Sequence, residues 1–279
     1  NLVNCWTENV NINLGTATAD GGKYAKISID SALYDLKEGN IDALVTAPIN
    51  KFAMDMYGFG FKGHTDYLAS YFETENTIMF MLNDDLRVAL MTHHIPLSEV
   101  PKQLTKEKIF NYISKINEIL IRDFDKEKPL IAVLGLNPHA GDGGVLGKEE
   151  IDIIRPAIES AKNEGIFVNG PFPPDSFWGT MEYKKYDVIL TRYHDQALIP
   201  FKLLAFEYGV NFTGGLPIIR TSPDHGTAYD IVGKNIANPE SFLNAIFSAV
   251  NIANNRKEYE ENRSNPLVKR AKPSEEVDE

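Results

Sequence analysis

The sequence predicts an α/β fold built on a largely parallel, covered sheet, and two observations carry that prediction. Short apolar, β-rich runs alternate along the chain with amphipathic stretches of helical spacing. One of the runs, PLIAVLGL, is almost continuously apolar, the pattern of a strand buried on both faces.

In order along the chain, DALVTAPI, NTIMFML and LRVALMTHH read as strands, and LTKEKIFNYISKINEILIRDF places Ile, Leu and Phe at helical spacing. PLIAVLGL follows as a strand, KEEIDIIRPAIESAKNEG as a helix ending at Gly165, YDVILTRY as a strand, and ESFLNAIFSAVNIANNRKEYEEN as a long helix. Residues 263–279 are charged, carry two prolines and lack periodicity, so a mobile tail is expected there. The opening residues have no initiator Met and read as alternating, strand-like sequence, from which an upstream portion is expected to be absent. Residues 1–279 are otherwise expected to form one catalytic unit.

Bulk properties exclude several classes. The 279 residues are 43% hydrophobic and 24% charged, enough for a sizeable core. A net charge of -11 argues against general affinity for nucleic acid or anionic membrane, although basic residues gathered locally would still hold a small anion. Cys5 is the single cysteine, so an intrachain disulfide and a cysteine zinc cluster are both excluded, and a reducing cytoplasm is the natural compartment. No apolar stretch approaches the roughly 20 residues of a membrane helix, and there is no signal-peptide pattern.

Three histidines each sit in a loop-like segment after an apolar run: His94 in MTHHIPL, His139 in LGLNPHAGDGG and His194 in ILTRYHDQALIPFK. Strand ends are where open α/β sheets bind ligands, and three imidazoles leave a catalytic divalent metal open coordination positions. A lone histidine is more often a hydrogen-bonded structural residue; the three together carry the reading. His93 and His94 are adjacent, so in a strand only one would face the site. Asp195 stands beside His194 as a partner or base.

In FKGHTDYLA, His64 and Thr65 could present an imidazole, a hydroxyl and backbone N–H groups to an anion, or Thr65 could simply cap a helix. Lys202, Asn211 and Arg220 follow within one stretch and suit a phosphate or carboxylate. Neither TAPINK, with Lys51, nor AGDGGVLGKEE has the spacing of a P-loop, and no Gly-x-Gly-x-x-Gly turn is present. A nicotinamide cofactor would need another device.

Residues 224–242, DHGTAYDIVGKNIANPESF, resemble the adenosine-binding loop of the metal-dependent β-decarboxylating dehydrogenases. That resemblance implies cofactor contacts from His225, Gly226, Ala228 and Asn238, with Asp230 accepting from a ribose 2′-hydroxyl and favouring NAD. TAPINK, GHTDYLA, THHIPL, LNPHAGDGG, GPFPPDSFW, YHDQALIPFK and GLPIIRTSPDHGTAYDIVGK together resemble the 4-hydroxythreonine-4-phosphate dehydrogenase family of vitamin B6 biosynthesis.

This resemblance implies an isocitrate/isopropylmalate dehydrogenase-like fold of two α/β/α lobes around a largely parallel mixed sheet, with the active site in the interlobe cleft. It implies NAD and one divalent metal per site (zinc, magnesium or cobalt) on His94, His139 and His194, contributed by both subunits of a homodimer. It also implies substrate contacts from His64, Thr65, Lys202, Asn211 and Arg220, leaving Asp175, Asp195 and Lys202 as open alternatives for the proton acceptor. The family's early Gly-Asp-Pro turn is not found, and His93 stands where a small residue is usual. Rival readings are a D-erythronate or D-threonate 4-phosphate dehydrogenase, a phosphate acyltransferase and a non-catalytic binding protein.

Overall fold

The computed structural model describes residues 1–75 and 77–267. Within them, eight strands pair into one sheet: β1 (Ala43–Val45), β2 (Ile78–Leu82), β3 (Arg87–Leu90), β4 (Ile131–Leu134), β5 (Val168–Phe172), β6 (Val188–Thr191), β7 (Val210–Gly214) and β8 (Ile219–Pro223). Their order is β1-β8-β7-β2-β3-β6-β4-β5. The β3-β6-β4-β5 side is parallel, as is the β1·β8 pair, while β2 and β7 run antiparallel to their neighbours in the middle. The α/β class with a mixed sheet is as the sequence predicts.

Every residue of β4 and β6 is buried because helices cover both faces. On one face lie α4 (Lys106–Phe124), α5 (Arg155–Asn163) and α8 (Glu240–Ser264), over a single large apolar cluster. Thr105 caps α4 by accepting from the Lys108 amide, and Ile109, Ile113, Ile116 and Leu120 form its buried stripe. Wholly buried Asp123 clasps α4 to α8, accepting from Arg256 Nε and Nη2 at 2.8 and 3.0 Å and from Arg122 Nε at 2.7 Å.

The other face carries two separate clusters. One lies under α6 (Pro174–Gly179) and α7 (His194–Ala205) and includes Met81, Val88 and Leu134. The second, with Leu33, Met54, Leu68 and Leu216, joins α1 (Ala19–Lys37), α2 (Lys51–Met56) and α3 (His64–Tyr71). Strand alternation explains what lies between them: Asn211 pairs with Met81 and Ser222, and Arg220 with Leu44, so these polar groups occupy the same face as the two clusters.

Three expectations change. Residues 1–18 contain no strand, and the first element is the helix α1, capped by Thr18. His194 opens α7 instead of sitting in a loop. The expected tail starts later than Arg263, because α8 runs to Ser264; of that tail, residues 268–279 lie outside the described residues.

Candidate active site

Between the two clusters a cavity of about 350 Å³ is lined by Lys51, His64, Lys202, Asn211, Arg220 and Asp224, among others. Arg220 is only 5% exposed, and its guanidinium donates to hydroxyls alone: Nε and Nη2 to Thr46 Oγ1 at 3.1 and 2.8 Å, and Nη1 to Thr213 Oγ1 at 3.3 Å. Burial pushes its pKa down to about 10, which still leaves it charged at neutral pH. A buried cation without a carboxylate is a site for an anion.

His64 opens α3, and burial, helped by the Arg220 charge, drives its pKa to about 3, so its imidazole is neutral. Lys202 Nζ lies 3.7 Å from Asp224 Oδ2, and burial raises the Asp224 pKa against the pull of that ammonium. Asn211 Oδ1 and Asp224 Oδ2 are buried with no hydrogen-bond partner, the state expected of groups that await a ligand.

Four of the five expected substrate residues thus meet: His64, Lys202, Asn211 and Arg220. Thr65 is not among the lining residues and does not cap α3, whose N-cap is Gly63 without a side-chain bond. Sequence reasoning missed Thr46, Ser222 and Asp224. Asp224 directly precedes the His225-Gly226 turn, which was its available signal.

The three histidines follow the C-terminal ends of β3, β6 and β4, which are adjacent and parallel. His94 and His194 have ring centroids 6.3 Å apart and share a pocket of about 350 Å³ with His93, Tyr193 and Asp195. The Thr92 hydroxyl donates to the Arg192 carbonyl at 2.7 Å and ties the two strand ends together. Burial lowers the pKa of both His93 and His94 and favours the neutral imidazole that a metal requires. The expectation that only one of this pair faces the site fails because β3 ends at Leu90; their Nδ1 atoms are 3.2 Å apart beside one pocket.

Asp195 Oδ1 lies 2.7 Å from His194 Nδ1 and orients that ring. Asp175, exposed in the first turn of α6, lines neither pocket. His139 is exposed on the loop after β4, with φ of 53°. Among the described residues no three His, Cys, Asp or Glu side chains converge as a metal site, so one chain brings together only His94 and His194 of the expected set. Two imidazoles with a carboxylate behind one of them fit a divalent ion as a partial donor set.

Next to the anion cavity, a second space of about 310 Å³ is lined by Gly22, Asn50, His225, Gly226, Ala228 and Tyr229. Of the expected cofactor contacts, His225, Gly226 and Ala228 line this space. Gly22 is required there because a Cβ would collide with the Ala53 carbonyl of α2. Asp230 and Asn238 do not line this space; Asn238 Oδ1 instead accepts from the Glu240 amide at the start of α8.

A family model described as "Pyridoxal phosphate biosynthetic protein PdxA" matches residues 2–249. A 4-hydroxythreonine-4-phosphate dehydrogenase of Bacteroides thetaiotaomicron is 45% identical over 269 residues, covering 96% of this chain and 74% of the relative. A Bradyrhizobium diazoefficiens protein named provisionally as a D-threonate 4-phosphate dehydrogenase is 41% identical over 250 residues, covering 86% of this chain and 72% of its own. Among solved structures, the 4-hydroxythreonine-4-phosphate dehydrogenase of Klebsiella pneumoniae superimposes with a TM-score of 0.76 at 40% identity, over 86% of this chain and 73% of that one.

Proposed function

The chain belongs to the pyridoxal phosphate biosynthetic protein PdxA family, a family of dehydrogenases, and on that premise we propose that it oxidises 4-phosphohydroxy-L-threonine with NAD. The secondary alcohol loses a hydride to the nicotinamide and a proton to a base, giving 2-amino-3-oxo-4-phosphooxybutanoate. This β-keto acid then loses carbon dioxide to yield 3-amino-2-oxopropyl phosphate. The observation that carries the reading is the buried, carboxylate-free Arg220 facing a cavity with Lys202, His64 and Asn211.

In this reading the phosphate sits against Arg220 and Lys202, where a guanidinium and an ammonium offer charge and directed donors. His64, neutral by burial, donates or accepts without competing for the anion's charge. Asn211 Oδ1, otherwise unpaired, accepts from a substrate N–H or O–H. The loop at His225, Gly226 and Ala228 holds the adenosine end of NAD beside this cavity.

His94 and His194 would hold a divalent ion, with the set, His139 included, contributed by both subunits of a homodimer. When bound, the metal supplies a Lewis acid for the substrate oxygen that is oxidised. Exposed Ile199, Leu203, Leu204 and Phe206 on and just beyond α7, next to the histidine rim, support a second copy there. The proton acceptor is Lys202 or Asp195: one lies in the cavity, the other against His194. The single cysteine, Cys5, suits turnover in a reducing cytoplasm.

The test is NADH formation at 340 nm from 4-phosphohydroxy-L-threonine, with chelator and with metal restored. Chelator-sensitive turnover is expected, and its absence on a folded dimer overturns the reading. The similarity to the Bradyrhizobium diazoefficiens protein supports a second reading, oxidation of D-threonate 4-phosphate, and faster turnover on that substrate would select it.

A further inference from the structure

The loop that carries His139 is built around one buried carboxylate. Residues His139, Ala140, Gly141, Asp142 and Gly143 all have positive φ, between 43° and 82°, a left-handed turn that L-residues adopt only when something holds them there. Directly before it, wholly buried Glu150 Oε1 accepts from the backbone amides of Leu136 and Asn137 at 2.7 and 2.8 Å. Its Oε2 accepts from Asn137 Nδ2 at 2.9 Å. Burial pushes the Glu150 pKa up, but the hydrogen bonds from Asn137 and Leu136 outweigh it and hold the carboxyl below its ordinary value.

Two glycines make room for this group. A Cβ at Gly135 would stand 3.1 Å from Glu150 Oε1, and one at Gly141 would stand 2.8 Å from Oε2. The carboxylate is therefore enclosed by both ends of the segment it binds. A second link joins this segment to the His194 helix: Gln196 donates from Nε2 to the Gly135 carbonyl at 2.7 Å, and its Oε1 accepts from the Arg192 amide at 2.7 Å.

We infer that Glu150 is the positioning residue for His139, its carboxylate pinning the start of the left-handed turn so that the imidazole is presented at the histidine rim. This rests on the proposed reading of His139 as a metal ligand. Glu150 is enclosed by loop backbone, and its charge also supports the buried Arg192 guanidinium two residues before His194, a charge that Gly141→Ala leaves in place.

The experiment uses cobalt(II) as the probe, titrated into metal-free full-length protein by its visible absorbance, alongside amide hydrogen exchange of residues 136–147 without metal. Glu150→Ala is expected to weaken cobalt binding about 10- to 100-fold, the range for outer-shell partners of metal ligands. Exchange should quicken in residues 136–147 and stay unchanged in β4 and α4. Glu150→Gln keeps an oxygen for the two backbone amides and should lose less. Gly141→Ala, which pushes on the same carboxylate from the other side, should weaken cobalt likewise and serves if Glu150→Ala does not fold.

Faster loop exchange with cobalt affinity within twofold of wild type would make Glu150 a structural residue only and overturn the inference. Unchanged exchange would overturn it as well. His139→Ala separates the two levels: if it binds cobalt like wild type, the ligand reading has failed and the inference falls with it. If it binds weakly while the Glu150 and Gly141 variants bind normally, the inference alone has failed.

Discussion

The anion cavity and the histidine rim differ in how far one chain completes them. The cavity is assembled from groups on β7, β8, α3 and α7, with His64, Arg220 and Ser222 buried, and Arg220 is held by two hydroxyls before any ligand arrives. At the rim His94 and His139 are exposed and His194 is half-buried, and only His94 and His194 stand near each other. Folding alone pre-organises the first region, whereas in the proposed reading the second becomes a site only with a metal and a second copy. Phosphate recognition and redox chemistry should therefore respond differently to pH, dilution and mutation.

The largest expected effect concerns His64. Its ordinary pKa is about 6.5 and its folded value about 3, so between those limits the unfolded chain binds a proton that the folded chain refuses. The contribution to stability is full above pH 6.5 and is lost as pH falls toward 3. At about 1.4 kcal/mol per pH unit the total is on the order of 5 kcal/mol. Urea midpoints from pH 7 to pH 4 should fall more steeply for the wild type than for His64→Gln, and parallel curves would show that His64 is not held neutral. Saturating phosphate should shrink the difference, because an anion at Arg220 offsets the charge that helps depress His64.

Next in size is Arg220→Ala, which removes a charge-assisted contact of about 3 kcal/mol and should lower kcat/KM roughly 150-fold, mainly through KM. Arg220→Lys should not restore it, since one ammonium cannot reach both Thr46 and Thr213 as the planar fork does. His94→Ala should instead lower kcat and spare phosphate binding. Equal effects of the two on KM would erase the distinction between the regions.

A smaller effect, about 2 kcal/mol or roughly 30-fold in association, is expected from Leu203→Asp on the exposed face of α7. Sedimentation should show dissociation, and specific activity should fall with dilution while inorganic phosphate still binds the single chain. Loss of phosphate binding on dissociation would mean that the cavity, too, depends on the partner.

How much of this was legible in the sequence follows from what each element does with its side chains. β4, β6, α4 and α8 announce themselves because they spend their apolar residues on the core in regular periods. β7 and β8 do not, since Asn211, Thr213, Arg220 and Ser222 turn one face of each strand toward the cavity and break the apolar alternation. α1 was hidden by Gly21 and Gly22, poor helix formers, the second kept for its contact with α2. α7 begins at a metal-binding candidate and contains Pro200, both of which read as loop. The residue types of the site were visible as motifs. Glu150 was not, because a glutamate in a helical stretch reads as solvated surface until the loop it holds is seen.

The smallest effect is expected at Lys202, and it tests whether the cavity's charges act together. Its side chain is 41% exposed, so solvent screens the attraction across the 3.7 Å to Asp224, and with Asp195 as the proton acceptor Lys202→Met should raise KM only about fivefold, near 1 kcal/mol, whereas a collapse of kcat would make Lys202 the acceptor. Its pH signature should be clearer than its size. Burial already raises the Asp224 pKa and the Lys202 ammonium opposes that rise, so removing the ammonium moves Asp224 further up. With Asp224 ionised in the working site, the acid limb of the kcat/KM profile shifts to higher pH in Lys202→Met and disappears in Asp224→Asn. A limb that stays in place in Lys202→Met means the two groups are not coupled, and the cavity then binds its anion through Arg220 alone.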